Sequence, residues 1–250
     1  MNLSLESTER LNRKSQDLVA KRRHEFESTL GDPVSDLELF GKHTLGKKVL
    51  DVGCGWGRYV HGFLGLGFEY YGIDLSFEMV KAAQEKNPDI SFTQMSFRNL
   101  TFKDASFDAL WCCCSLSYEP KRNLKNVLCE LRRFLQPDGL LLVVLHDYHA
   151  SEEETSTSGE EIGRGHFSLW HPEEFAEELH VSGFKVGQTI RRCEEASMTF
   201  LATNDGCDCQ NPPPDTWDGK EGTYHVSNEC PVHNWNPYQK ETSPHPPSGG

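Results

Sequence analysis

Val49, Leu50 and Val52 form a short apolar run that gives way to glycine at every second position, Gly53, Gly55 and Gly57. A strand that ends this way can turn sharply and bring its backbone close to a ligand, because no Cβ stands between them. Arg58 and the residues after it read as a helix over 57–66, whose first amides and positive dipole end face the same point. Strand, glycine turn and helix in that order predict a nucleoside-containing ligand at the strand's carboxyl end.

The spacing narrows the ligand. A dinucleotide turn has its third glycine one place later, for pyrophosphate approach and helix packing. Asp51 also precedes the turn, and a carboxylate repels a pyrophosphate but attracts an ammonium or sulfonium. The turn therefore suits a cationic, phosphate-free nucleoside. Asp74, seventeen residues after Gly57, ends a second strand at the place from which a carboxylate accepts both ribose hydroxyls. Ser76 is then left to cap the helix that follows.

Beyond this unit the apolar pattern alternates between strand and helix, which builds a doubly wound parallel sheet. Strands are predicted near 48–52, 69–73, 90–95, 107–113, 140–146, 184–190 and 197–203, and helices near 57–66, 77–86, 121–135 and 172–182. Pro137 and Gly139 separate the third helix from the fifth strand. The connection between the last two strands is too short for a parallel crossover, so the final strand runs antiparallel. The fold class is α/β, a seven-stranded, mostly parallel sheet with a reversed last strand, and ligand belongs at the carboxyl ends of the first, second and fourth strands.

Five blocks in this order resemble the class I S-adenosylmethionine-dependent methyltransferases of small-molecule type, whose fold is Rossmann-like. They are Val49–Gly57, Tyr71-Gly-Ile-Asp-Leu-Ser76, Arg98–Trp111, Leu131–Leu142 and His171–Leu179, and the likeness covers about residues 45–203. The resemblance implies that Asp51, Gly53, Cys54, Gly55 and Gly57 cradle the methionine part of S-adenosylmethionine. Asp74 would hold the ribose and Leu75 would pack on the adenine. An aspartate that reads the adenine amino group in relatives is replaced here by Ser96, so adenine contact falls to that hydroxyl or to the backbone amide of Phe97. Cys112 and Cys113 would lie near the methionine carboxylate and the transferable methyl, and Tyr118 stands where relatives often place a histidine facing substrate.

The implied reaction is in-line transfer of a methyl group to an O, N or S nucleophile of a small molecule. Alignment and exclusion of water are its main demands. A general base is needed only for a protonated acceptor, and the candidates are His146, His166 and Tyr118. Two alternatives stand beside this reading: a methyltransferase acting on tRNA or protein, and a partner subunit that binds the cofactor without catalysis. The first draws on one basic stretch, Arg10 to Arg23, whose Leu11, Leu18, Val19 and Phe26 predict an amphipathic helix packed over the cofactor cleft with its charges in water. A formal charge of −13 over 250 residues argues against a nucleic-acid partner.

The chain divides into an N-terminal helical cap (1–44), the cofactor-binding domain (45–203) and a Pro-rich tail (204–250). The tail holds eight of the thirteen prolines and lacks the aliphatic residues of an independent core. Cys230 and His233 have a zinc-compatible spacing, but Cys207 and Cys209 are closer than the usual ligand pair, so no metal is assigned. Ser151–Glu161 is acidic and low in complexity and reads as a mobile loop, followed by the aromatic stretch Gly165–His171 with His166, Phe167 and Trp170. No apolar run reaches the length of a membrane span. Nine cysteines, three of them consecutive at 112–114, are no disulfide framework and point to a reducing cytosol.

Overall fold

A computed structural model of the protein describes residues 3–26, 34–147, 153–156, 165–192 and 196–204. Its order is α1 (Leu5–Lys21), α2 (Arg23–Phe26), α3 (Val34–His43), β1 (Lys48–Val52), α4 (Val60–Gly65), β2 (Glu69–Asp74), α5 (Phe77–Lys86), β3 (Ser91–Gln94) and β4 (Phe107–Cys113). A 3-10 turn at Leu116–Tyr118 leads to α6 (Lys121–Phe134) and β5 (Leu135–His146). After these come β6 (Glu153–Ser156), β7 (Gly165–Ser168), α7 (Pro172–Val181), β8 (Phe184–Arg192) and β9 (Ser197–Asn204).

Seven strands form one sheet in the order β3-β2-β1-β4-β5-β9-β8, with β9 antiparallel to both neighbours and the first five parallel. The order reverses between β1 and β4, which opens a crevice at their carboxyl ends. The strands read as near-continuous apolar runs because both faces are covered. Leu50, Val52, Leu110, Cys112, Leu141 and Val143 pack under α6 and α7, while Val49, Ala109, Trp111, Leu142 and Val144 pack under α3 and α4. Trp111 sits edge-on to Phe40, Tyr59 and Phe63, at centroid distances of 5.5, 5.4 and 5.3 Å. Residues 34–43, expected in the cap, thus place Leu37 and Phe40 in the core.

Four local expectations differ from the structure. The helix expected over 57–66 begins only at Val60, because residues 55–59 remain in turns and Gly57 has φ +72°. β5 begins at Leu135, ahead of Pro137 and Gly139, and pairs with β4 across a register break between Phe107 and Ala109. Within the stretch expected to be a loop, Glu153–Ser156 instead pairs antiparallel with Gly165–Ser168, forming a separate two-stranded sheet.

The fourth difference concerns α1. Its buried residues are Thr8, Asn12, Ser15 and Ala20, whereas Leu18 is 45% exposed. Asn12 explains the choice: its Nδ2 donates to the Tyr118 carbonyl (2.8 Å) and its Oδ1 accepts from the His166 amide (2.7 Å). Small polar residues let α1 lie close over the crevice and meet the backbone groups at its rim, and the hydrogen bonds offset their desolvation. Arg10, Arg13, Lys14 and Lys21 are exposed, as expected. Among the described residues no helix is long and apolar enough to cross a membrane. The tail residues Cys207, Cys209, Cys230 and His233 lie outside the described residues.

Candidate active site

The β1 turn is fixed by two amides, Gly53 and Cys54, which both donate to the Ile73 carbonyl of β2 (2.8 and 2.9 Å). Its three glycines have different tasks. A Cβ on Gly53 (φ +82°) would stand 2.4 Å from Ser115 Cβ, so this glycine admits the loop after β4. A Cβ on Gly57 would come within 2.9 Å of Asn87 Nδ2 and 3.2 Å of Phe92 Cζ, so its task is packing against α5 and β3. Only Gly55 (φ +54°) faces open space, with nothing within 4 Å of the position a Cβ would take.

That space is a cavity of about 320 Å³ at the carboxyl ends of β1, β2, β4 and β5, closed on one side by α1. Of the expected site residues, Gly53, Cys54, Gly55, Asp74 and Leu75 line it from the first two strands. Ser96, Phe97, Cys113, Tyr118 and His146 line it from the later elements. Asp51, Gly57, Cys112 and His166 are not part of the lining. Alternation along β4 turns Cys112 into the core beneath α6 and Cys113 toward the cavity. His166 is buried, its Nε2 3.0 Å from Ser168 Oγ, and Trp170 is a core residue against Phe175.

Two carboxylates flank the turn. Asp74 accepts the Gly55 amide at Oδ2 (2.9 Å) and the Ser76 amide at Oδ1 (2.8 Å), while the Ser76 hydroxyl oxygen accepts the Met79 amide (3.1 Å) as the α5 cap. Burial raises the Asp74 pKa to about 6, although those backbone amides pull it down. Asp51 lies behind the turn, 1% exposed; its Oδ2 accepts the Tyr70 hydroxyl (2.6 Å), and its Oδ1 is buried with no hydrogen-bond partner among the described residues. Burial raises its pKa from 3.8 to about 7, with the Tyr70 bond acting against it and the Asp74 charge adding to it.

The opposite end of the cavity holds sulfur. Tyr59 Oη lies 3.1 Å from Cys113 Sγ, and the Cys113 thiol points to Cys114 Sγ at 4.0 Å. Hydrogen bonding from Cys113, and next from His146, lowers the Cys114 pKa; the same bond to Cys114 raises that of His146. Hydrogen bonding thus favours the charged form of each group. Cys114 has φ +56°, a costly conformation for a side-chain-bearing residue that places its sulfur beside the His146 ring at the end of β5. Phe167 backs this end, 5.4 Å from the Tyr118 ring and 6.1 Å from His146.

Sequence reasoning missed Cys114, Tyr59, Arg58 and the α1 residues Glu9, Asn12 and Gln16, all of which line the cavity. The three consecutive cysteines were a signal for the first, but strand parity does not extend past the strand's end. For α1 the amphipathic pattern signalled a helix over the cleft, but not which of its residues face it.

A doubly wound sheet with its reversed strand next to the edge, and a nucleoside-sized crevice at the switch point, is the architecture of a class I methyltransferase. Residues 49–139 match the family model of the methyltransferase domain. A demethylmenaquinone methyltransferase of Renibacterium salmoninarum is 34% identical over 98 residues, 39% of this chain and 40% of that protein. A malonyl-(acyl-carrier protein) O-methyltransferase of Erwinia billingiae is 33% identical over 107 residues, 43% of this chain and 42% of that one. These matches span less than half the length of the curated relatives. The 1,6-didemethyltoxoflavin-N1-methyltransferase of Burkholderia thailandensis, solved with its namesake compound and S-adenosylhomocysteine, shares the fold. Its TM-score is 0.65 at 19% identity, over 81% of this chain and 91% of that one. Residues 49–139 are thus a methyltransferase domain by sequence, and the sheet that carries them shares its fold with that S-adenosylhomocysteine-bound methyltransferase.

Proposed function

We propose that this protein transfers a methyl group from S-adenosylmethionine to an oxygen, nitrogen or sulfur nucleophile of a small molecule. The observation that carries the reading is the Gly55 cradle, open where a Cβ would stand and flanked by Asp74 and the unpartnered Asp51 Oδ1. These residues fit a sulfonium nucleoside: an uncovered backbone for close approach, a carboxylate for ribose hydroxyls, and a buried carboxylate that a nearby cation would ionise. When bound, that donor supplies a methyl group on positively charged sulfur.

The chain's own groups do the rest. Asp74 orients the ribose while its bonds to Gly55 and Ser76 keep the turn in shape. Asp51 gains a counter-charge that the free protein lacks. Apolar walls and the α1 cover keep water from the nucleophile's path. At the acceptor end, a protonated nucleophile releases its proton to Cys114 Sγ, whose pKa the Cys113 and His146 hydrogen bonds lower, and His146 holds that sulfur in place. This assigns His146 to positioning in the resting state and the proton to the pair.

We further propose that α1 acts as a cap within residues 1–44, that 45–203 is the catalytic domain, and that 204–250 is an appended tail. A cytosolic setting suits thiols that must stay reduced at the site. Calorimetric titration tests the donor reading: S-adenosylmethionine and S-adenosylhomocysteine are expected to bind and NAD not to. Absence of heat with both nucleosides, or tight NAD binding, overturns it. A screen of small acceptors with a radiolabelled methyl donor then tests the transfer.

A further inference from the structure

From Asp74 the cavity continues along Leu75, Met79, Met95 and Phe97, an apolar lining suited to the faces of a planar base. A base in such surroundings has its polar edge read by whatever acceptors and donors stand at the rim. Ser96 is at that rim, but its single hydroxyl proton is already donated to Glu9 Oε2 of α1 (2.9 Å), and its oxygen accepts the Arg98 amide (3.2 Å). Arg98 Nη1 stands 3.6 Å from the same Glu9 oxygen, while its Nε is held by Glu119 at 2.8 Å. Glu9 is thus anchored by one oxygen. Its Oε1 makes no hydrogen bond among the described residues, its side chain is 32% exposed, and it lines the cavity.

We propose that Glu9 is the acceptor that reads the exocyclic amino group of the donor's adenine, with Ser96 and Arg98 as the residues that position it. The inference rests on the donor reading above. It makes α1 part of the nucleoside site and gives the helix a reason to bury polar residues. The Phe97 amide, which makes no backbone hydrogen bond among the described residues, is the neighbouring donor for a ring nitrogen. A hypoxanthine base in the same place would turn a carbonyl oxygen toward a carboxylate, so the site rejects it.

The test is calorimetry on the full chain with S-adenosylhomocysteine and S-inosylhomocysteine, which differ in that amino group. The unmodified protein is expected to prefer the adenosyl compound by at least about tenfold. Glu9→Gln, whose amide can serve either exocyclic group, is expected to cut that preference several-fold, the Phe97 amide retaining part of it, and Glu9→Ala to weaken the adenosyl compound about tenfold. Arg13→Gln, an exposed charge on the same helix, is expected to leave the ratio unchanged. A Glu9→Gln protein that keeps the original preference overturns the inference while the donor reading stands. Failure of the unmodified protein to bind either compound overturns both.

Discussion

The two ends of the cavity are built on opposite electrostatic plans. At the donor end, two carboxylates are driven toward their neutral forms by burial, Asp51 to about 7 and Asp74 to about 6, so the free site stores a demand for positive charge. At the acceptor end, hydrogen bonding lowers the Cys114 pKa and raises that of His146, so the charged forms are favoured before any ligand arrives. One end is held toward its neutral forms until a cation arrives; the other is biased toward its charged forms beforehand. The difference follows from the tasks, since binding a cation gains from a latent anion, whereas accepting a proton needs a present one.

Gly55→Val is the most severe way to break the donor end. The side chain would occupy the open cradle in a backbone conformation that β-branched residues avoid, and donor affinity is expected to fall more than about a hundredfold by calorimetry. Gly53→Ala separates ligand space from packing. Its Cβ would overlap Ser115, so the expected loss is about 2–4 kcal/mol of stability in urea unfolding, with weaker binding only as a consequence.

Titrating affinity against pH sharpens the contrast. S-adenosylmethionine is expected to bind roughly tenfold or more weakly at about pH 5.5 than at about pH 8, because Asp51 and Asp74 are protonated at the lower pH. S-adenosylhomocysteine, with a neutral sulfur, is expected to show a shallower dependence. Equal slopes for the two ligands would remove Asp51 as the counter-charge. The free protein carries the opposite sign. Its two carboxyl pKa values lie above the ordinary 3.8, so their contribution to stability is complete below about pH 4 and is lost as pH rises through about 6 to 7. Asp51→Asn is expected to flatten that part of a melting-temperature profile.

The acceptor end yields to chemistry. Cys114 is expected to be alkylated by iodoacetamide at neutral pH several-fold faster than an ordinary thiol, and His146→Asn to remove most of that advantage. An unchanged rate in the variant would dissolve the pair. The smallest effect is expected from His166→Gln, which loses its contact with Ser168 outside the cavity: donor affinity within about twofold, and roughly 1 kcal/mol of stability.

Which parts of the site could be read in advance follows the same division. The donor end consists of consecutive residues on strand–turn–helix units, so Gly53, Gly55 and Asp74 were recognisable from spacing. The sheet order followed from the same alternation and from the short link between β8 and β9. Gly57 was misjudged because its glycine serves Asn87 and Phe92, neighbours that spacing does not reveal. Leu11 and Leu18 were misjudged because Asn12, bonded to the Tyr118 carbonyl and the His166 amide, sets which face of α1 turns inward, and periodicity alone does not show those partners.

The order of strands and helices, the glycine turn and the carboxylate that ends β2 were determined by sequence, because each depends on backbone geometry within a few residues. The tertiary structure alone decided that Glu9 meets Ser96, 87 positions away, and that Cys114 rather than Cys112 meets His146. Those pairings depend on how separate elements converge in space, where a side chain's partners are set by packing and by the charges already buried there.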